Sequence, residues 1–301
     1  MRAGCSDLGE AMKLPRFDYA APASLAEAVA LLAASGGTAR PVAGGQTLVP
    51  ILAFRMAAPS LLVDLRKVPG LDRIGIGPEG VLLGARVRWC DIETDPRLVL
   101  AHPLLVAAVA HVAHHQIRQR GTVGGSLAHA DPAAELPGIA VTCDATLHLE
   151  GPGGGRRIPA AAFFRGPLET ALAPDELVTA IAFPPWPPAR CWGFEELARR
   201  QGDFALAGIA LHYDLRDGRA AEVRIGVIGA CTRPHRIPEA EAILEGQRVT
   251  PALAEAVGRA VAGAVSPPED IHASAAYRRD LAGTLAERAV LAAMAREEVR
   301  A

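Results

Sequence analysis

The run Gly121-Thr122-Val123-Gly124-Gly125-Ser126-Leu127-Ala128-His129-Ala130-Asp131-Pro132, with Glu135 just beyond, decides how this chain is read. It places three glycines within five residues, beside the hydroxyls of Thr122 and Ser126. Glycine has no Cβ to hold a ligand away, so successive backbone N–H groups can converge on one point. Such a concavity binds anions, phosphate above all. One Gly-Gly pair alone reads as a tight turn. A second pair upstream, in Ala43-Gly44-Gly45-Gln46-Thr47-Leu48, points instead to two phosphate-binding turns.

Composition narrows the classes. A chain of 301 residues exceeds one average domain, and 50% hydrophobic with 21% charged residues is a globular balance. With 31 basic and 33 acidic residues, the net charge of -2 argues against a nucleic-acid binder. No apolar run reaches the ~20 residues of a membrane-spanning helix. Met1 to Glu10 has no apolar core and carries Asp7 and Glu10, so it does not read as a signal peptide. Structured chain is expected from Met12. Cys5, Cys90, Cys143, Cys191 and Cys231 are irregularly spaced without a CxxC, which excludes a zinc knuckle or iron–sulfur signature. They read as reduced, buried thiols of a cytoplasmic protein.

Taken in order, Ser24-Leu25-Ala26-Glu27 is a capping box opening a helix that Gly36-Gly37 stops. Arg40 to Ala43 reads as a strand running into Gly44-Gly45, Leu48 to Phe54 as a helix, and Leu61 to Leu65 as a strand. Beyond Pro69 the texture becomes antiparallel: a hairpin over Arg73–Ile76 and Val81–Ala85, another over Ala145–Leu149 and Arg156–Pro159, and a strand at Leu177–Phe183. Between them, Trp89–Thr94 is a short helix and Pro103 opens a buried one ending near His114-His115. The segment Gln116–Arg120 is expected to be irregular. Pro132–Cys143 is expected to be helical at first and interrupted at Pro137-Gly138. Pro184-Pro185-Trp186-Pro187-Pro188 marks a boundary, since this proline density fits neither a helix nor a central strand. Three strands (Trp192–Arg199, Phe204–Leu215, Ala221–Ala230) and helices near Pro238–Leu244, Pro251–Ala264 and Ser274–Val299 follow.

Familiar nucleotide motifs fail. Gly151-Pro152-Gly153-Gly154-Gly155-Arg156 lacks the spacing and the strand-to-helix context of a Rossmann fingerprint, and no Walker A run or GxSxG elbow occurs. His111, His114 and His115 read as a solvated helix end rather than metal ligands, because Val112 stands where HExxH needs a glutamate. Two Gly-Gly turns facing across a cleft would clamp a pyrophosphate through backbone N–H groups. That suits a dinucleotide retained as a prosthetic group.

The segments Ala43–Pro50 and Ile117–Pro137, with Phe194–Ala207 (FEELARRQGDFALA), resemble the FAD-binding medium subunit of the xanthine dehydrogenase and carbon monoxide dehydrogenase family of molybdenum hydroxylases. The likeness runs from Met12 to the C-terminus. It implies an α+β fold: a PCMH-type FAD-binding domain over 12–185, with lobes of about 12–66 and 67–185. A small C-terminal domain over 190–301, with a three-stranded antiparallel sheet and helices, would follow. It implies that this chain binds FAD noncovalently and works beside a large molybdopterin-binding subunit and a small subunit with two [2Fe-2S] clusters, as a dimer of heterotrimers. Electrons would pass from molybdenum through the clusters to FAD, and on to NAD+, a quinone or another acceptor. Any membrane association would arise through that acceptor.

Carried over by position, Ala43, Gly44, Gly45, Gln46, Thr47 and Leu48, and Thr122, Val123, Gly124, Gly125 and Ser126, are the expected cofactor contacts, with His129 and Asp131 beside them. Glu135 stands where the family has an Asp contacting the adenosine part, and Val112 and Val178 match flavin-side positions. No catalytic residue and no metal ligand is expected. Gln46 replaces a common histidine, and Ser126 a common asparagine. Glu195 replaces a flavin-side lysine of the eukaryotic members, which weakens the case for NAD+. Ile51, Leu52 and Phe54 admit a core or a flavin-contact role. Arg118, Arg120, Arg199 and Arg200 are expected at the surface or a subunit interface.

The alternative is a self-sufficient flavin oxidase of the same superfamily. The stretch after Arg190 is small for a substrate-capping domain, however, and neither glycine motif carries an FAD-linking histidine. A scaffold without redox turnover would not require two intact Gly-Gly pairs.

Overall fold

The computed structural model describes residues 14–298. The readings of Met1–Glu10, of Cys5, of Met12 as the opening of structured chain and of Val299 lie outside them.

A first unit is built on a parallel three-stranded sheet. Strand β1 (Asp18–Ala20) precedes helix α1 (Leu25–Ala34) and strand β2 (Ala39–Val42); helix α2 (Leu48–Ala53) leads to β3 (Leu61–Asp64), and the sheet order is β1-β3-β2. Ser24 caps α1 by accepting from the Glu27 amide at 3.1 Å, and Glu27 reaches back to the Ala23 amide at 2.9 Å. The apolar stripe Ala28, Val29 and Leu32 packs on Ala39, Val63 and Leu65. The three-residue β1 and the single 3-10 turn at Leu65–Lys67, which ends β3 one residue before the expected Leu65, were not foreseen. Strand β1 is too short to show a period, and its pairing with β3 creates it.

The second unit opens with the hairpin β4 (Ile74–Gly77) and β5 (Gly80–Gly84). Helices α3 (Trp89–Thr94), α4 (Pro96–Ala101), α5 (Pro103–Val109), α6 (His115–Arg118), α7 (Val123–His129) and α8 (Glu135–Thr142) follow. After them come the hairpin β6 (Thr146–Gly151) and β7 (Gly154–Pro159), the short α9 (Ala160–Phe163), β8 (Phe164–Gly166) and β9 (Glu169–Thr170), and finally β10 (Leu177–Phe183). The sheet order β4-β5-β10-β6-β7 is antiparallel throughout, with β10 inserted between the hairpins.

Four expectations change here. The helix from Pro103 ends at Val109, and part of the presumed irregular stretch is the one-turn α6. Pro137 does not break its helix: it lies in the first turn of α8, where an amide would have no partner within the helix. The Gly124-Gly125 pair is no turn either, but the first turn of α7.

After the proline-rich connection, β11 (Cys191–Ala198), β12 (Ala205–Arg216) and β13 (Arg219–Ile228) form an antiparallel sheet, to which the two-residue β14 (His235–Arg236) adds a fourth strand. Helices α10 (Pro238–Leu244), α11 (Pro251–Ala264) and α12 (Ala275–Glu298) cover it. Tyr213, Ile209 and Leu211 of β12 meet Ala286, Ala289 and Val290 of α12 in one core. Phe194, Ala205, Ala210 and Ile228 instead join the core of the second unit. The sheet is therefore buried on both faces and fuses the two parts of the chain. Cys90, Cys143, Cys191 and Cys231 are all buried. Among the described residues, no helix is long and apolar enough to cross a membrane.

Candidate functional site

The first glycine motif sits at the tip of β2. Gly45 has a φ of +70, which favours glycine, and Gln46 folds back so that its Nε2 donates to Gly44 O at 3.0 Å. The carbonyls of Gly45 and Thr47 are taken by the amides of Val49 and Ile51 in α2. The backbone N–H groups of Gly44, Gly45, Gln46 and Thr47 have no protein acceptor among the described residues. Four adjacent donors without partners form a nest for an anion.

The second motif meets the first directly. A Cβ on Gly44 would collide with the carbonyl of Arg120 and come within 3.1 Å of Gly121 Cα, so the two chains touch backbone to backbone. Its own amides are employed differently from expectation. Val123 N–H donates to Val87 O at 2.9 Å, Gly124 N–H to Ala85 O at 2.8 Å, and Gly125 N–H to the capping hydroxyl of Thr122 at 3.2 Å. Two facing nests do not exist. One nest of free amides lies at Gly44–Thr47, and α7 closes over it with amides already satisfied. The glycines of α7 serve close packing: a Cβ on Gly124 would stand 2.5 Å from Ala85 Cβ.

Both motifs open into one cavity of about 1300 Å³. Ala43, Gly44, Gly45, Gln46, Thr47 and Leu48 line it, as do Thr122, Gly124, Gly125, Ser126, His129, Asp131, Glu135, Val112 and Val178. Val123 does not; its side chain is wholly buried in the hydrophobic core. Of the three apolar residues left open, Ile51 lines the cavity, Leu52 is core, and Phe54 is 79% exposed.

The far wall comes from the C-terminal part, which the motif reading had not placed there. Arg199, Phe204, Asp270, His272 and Arg278 line it. Arg278 is buried, donating to Leu206 O at 2.8 Å and to Asp270 Oδ2 at 2.7 Å. Burial alone would raise the Asp270 carboxyl, but Arg278 and the amides of His272 and Ala273 hold it down at about 2. Arg199 Nη1 lies 3.4 Å from His272 Nδ1. Only the FEELARRQGDFALA stretch hinted at this wall. Arg118 is half-buried: it donates to Val112 O at 3.0 Å and Ala113 O at 2.8 Å, fixing the turn that carries Val112.

Glu135, the first residue of α8, is buried against the cavity. Its carboxyl is pushed far above the ordinary range, first by burial, against a hydrogen bond from its own backbone, and further by the charge of Asp131. Glu196 of β11 is pushed up too, by burial and then by Glu135.

The residues present fit a dinucleotide. Unpartnered amides await an anion, glycines let two backbones meet beside them, and the remaining wall is apolar enough to receive a ring system, with Ile51, Val112 and Val178 at hand.

Residues 15–186 match the family of the FAD binding domain in molybdopterin dehydrogenase, and residues 192–293 the CO dehydrogenase flavoprotein C-terminal domain. The chain is 41% identical over 285 residues to the nicotine 6-hydroxylase medium subunit of Paenarthrobacter nicotinovorans, covering 95% of this chain and 100% of that one. A carbon monoxide dehydrogenase structure from Hydrogenophaga pseudoflava superposes with a TM-score of 0.92 at 36% identity, over 95% of this chain and 99% of the other. Quinoline 2-oxidoreductase from Pseudomonas putida 86 gives 0.90 at 38%, with 95% and 99% covered. The glycine motifs, the antiparallel second unit and the helix-covered terminal sheet thus belong to one known architecture, and this chain is a member of the family of FAD-binding medium subunits of the molybdenum hydroxylases.

Proposed function

We propose that this chain is the electron-transfer flavoprotein subunit of a three-subunit molybdenum hydroxylase, assembled as a dimer of heterotrimers. In this reading the FAD-binding domain spans about 12–185 and the C-terminal domain 190–301. The observation that carries it is the row of unpartnered amides at Gly44–Thr47 inside a cavity closed by a second glycine motif.

Those amides would hold the pyrophosphate. Gly125 and Ser126 would approach it from α7, where a side chain on Gly125 would meet little besides Thr122 Oγ1 at 3.0 Å. Ile51, Val112 and Val178 would pack on the ring system, and Glu135 would face the adenosine part. When bound, FAD would supply the redox chemistry, linking the [2Fe-2S] clusters of the small partner to an external acceptor. The residues of this chain bind and orient it and keep water from it. Substrate would be hydroxylated on the large molybdopterin-binding partner.

The purified chain should therefore be yellow with noncovalent FAD, and Gly125→Val should lose the flavin while retaining a folded circular-dichroism spectrum. A colourless wild-type protein that FAD titration leaves unchanged refutes the reading. Oxidation of a purine, aldehyde or N-heterocycle by the isolated chain would replace it with the self-sufficient oxidase.

A further inference from the structure

In helix α2, composition and exposure disagree. Its residues Leu48-Val49-Pro50-Ile51-Leu52-Ala53 are all apolar, and from there to Pro59 Arg55 is the sole charge. A helix apolar on every side is ordinarily buried on every side. Here only the inner side is enclosed: Leu52 is core, and Leu48 and Ile51 line the dinucleotide cavity. Val49, Pro50 and Ala53, spaced as one helical face, are open to water. Phe54 and Met56, 79% and 77% exposed, continue the apolar surface at the end of the helix.

The turn that carries them is fixed. Arg55 has a φ of +56, in the left-handed region that favours glycine. Its amide donates to Leu52 O and that of Met56 to Ile51 O, each at 3.0 Å. At helix ends closed in this way, the residue in the place of Met56 commonly folds back onto the last turn. Here it stays in solvent. Backbone of this cost collects at sites that meet a ligand or a partner. Grouped apolar side chains at a surface mark a protein contact, and Phe, Met and Arg are types that such contacts concentrate.

Position and charge select the partner. A helix with its side chains is only about 10–12 Å across. A protein seated on the outer face of α2 therefore stands one helix away from the cavity, and electron transfer slows exponentially with distance. In a [2Fe-2S] centre, four thiolates and two sulfides outweigh the two irons, so a protein carrying one brings negative charge that complements Arg55. Another apolar concavity, of about 860 Å³ and lined by Leu100, Trp186 and Trp192, shares no lining residue with the dinucleotide cavity. A donor docked there would not have α2 as its short path.

We propose that the outer face of α2 and the turn Phe54–Met56 form the docking surface for the small [2Fe-2S] subunit. The proposal rests on the FAD reading above and its three-subunit arrangement, and adds the place where that subunit sits. Phe54 and Met56 are the apolar anchors, and Arg55 sets the register against the negative surface of the partner.

The test uses the complex made by expressing the three subunits together, purified through a tag on this chain. In the double variant Phe54→Glu/Met56→Glu, retained FAD reports a folded chain with an intact cavity. Iron recovered with it should fall at least about tenfold from wild type, as expected for the loss of two anchors. Arg55→Ala should weaken binding of the small subunit and flatten its salt dependence. Leu100→Glu, in the separate concavity, should leave iron recovery unchanged. Wild-type iron recovery in the double variant overturns the proposal, as does loss of the large subunit with the small one kept. Self-association of the isolated chain that the double variant abolishes would make the face a contact between copies, and overturns it equally. Should the double variant lose FAD, Arg55→Ala decides: unchanged affinity at every salt concentration overturns the proposal. A wild-type chain that holds no FAD, or brings down no iron–sulfur partner, refutes the underlying reading and the docking with it.

Discussion

His102 is enclosed between Phe183 at 4.8 Å and Trp186 at 4.7 Å, measured between ring centres, and its Nδ1 accepts the Leu105 amide at 3.2 Å as the cap of α5. Burial is the main reason its pKa falls to about 3, with Arg190 adding to the effect. His212 beside Trp186 is likewise held neutral, again chiefly by burial. In the unfolded chain both imidazoles charge normally, so the unfolded state binds more protons in the acid range. Stability present above about pH 6.5 is therefore lost as pH falls toward 3, by up to about 1.4 kcal/mol per unit for His102. His102→Asn, which keeps an acceptor for the cap, should flatten part of this slope in denaturant titrations at about pH 7 and about pH 5. Equal slopes in variant and wild type would show that His102 is not the titrating group. The sequence reveals only that His102 precedes a proline. What makes it acid-sensitive is the linker tryptophan folded over it.

The elements formed by local rules were the legible ones. Ser24 and Glu27, the Pro251 start of α11 and the turn at Asp217-Gly218 all work within a few residues, so the chain discloses them directly. The start of α7 follows another rule. Glycine disfavours a helix by about 1 kcal/mol relative to alanine, so Gly124-Gly125 reads as a turn. The helix forms because Thr122 caps it and because Gly124 can lie flat against Ala85, donating to its carbonyl. Gly124→Ala should then cost about 1–3 kcal/mol through overpacking. Gly125→Ala, facing the cavity, should stay within about 1 kcal/mol of wild type. Urea titrations separate the two. Equal costs would mean that the docking of α7 on Ala85 is not what holds the helix.

At the scale of the molecule, α8 holds the terminal sheet to the second unit. A Cβ on Gly138 would strike Ile228, and Thr142 Oγ1 occupies the place a side chain at Gly226 would need. Asp144 adds ion pairs of 2.8 Å to both Arg224 and Arg236. Asp144 is half exposed, so Asp144→Asn should cost no more than about 1 kcal/mol, and less at high salt. Gly138→Val strikes the packed seam itself and should split calorimetric unfolding into two transitions, since each side keeps its own core. A single cooperative transition would show that the seam does not limit cooperativity.

The sequence by itself determined the order of most of the longer elements, the proline-rich boundary, the family and the two glycine motifs, because each depends on neighbours in the chain or on a long matching pattern. Only the tertiary structure decided that one motif keeps its amides for a ligand while the other donates them to Ala85 and Val87. It also brought Arg199, Asp270 and Arg278 to the cavity. Which donors remain unpaired, and which charges reach the cavity, follows from strands and helices distant in sequence. The local pattern of residues carries no record of those meetings.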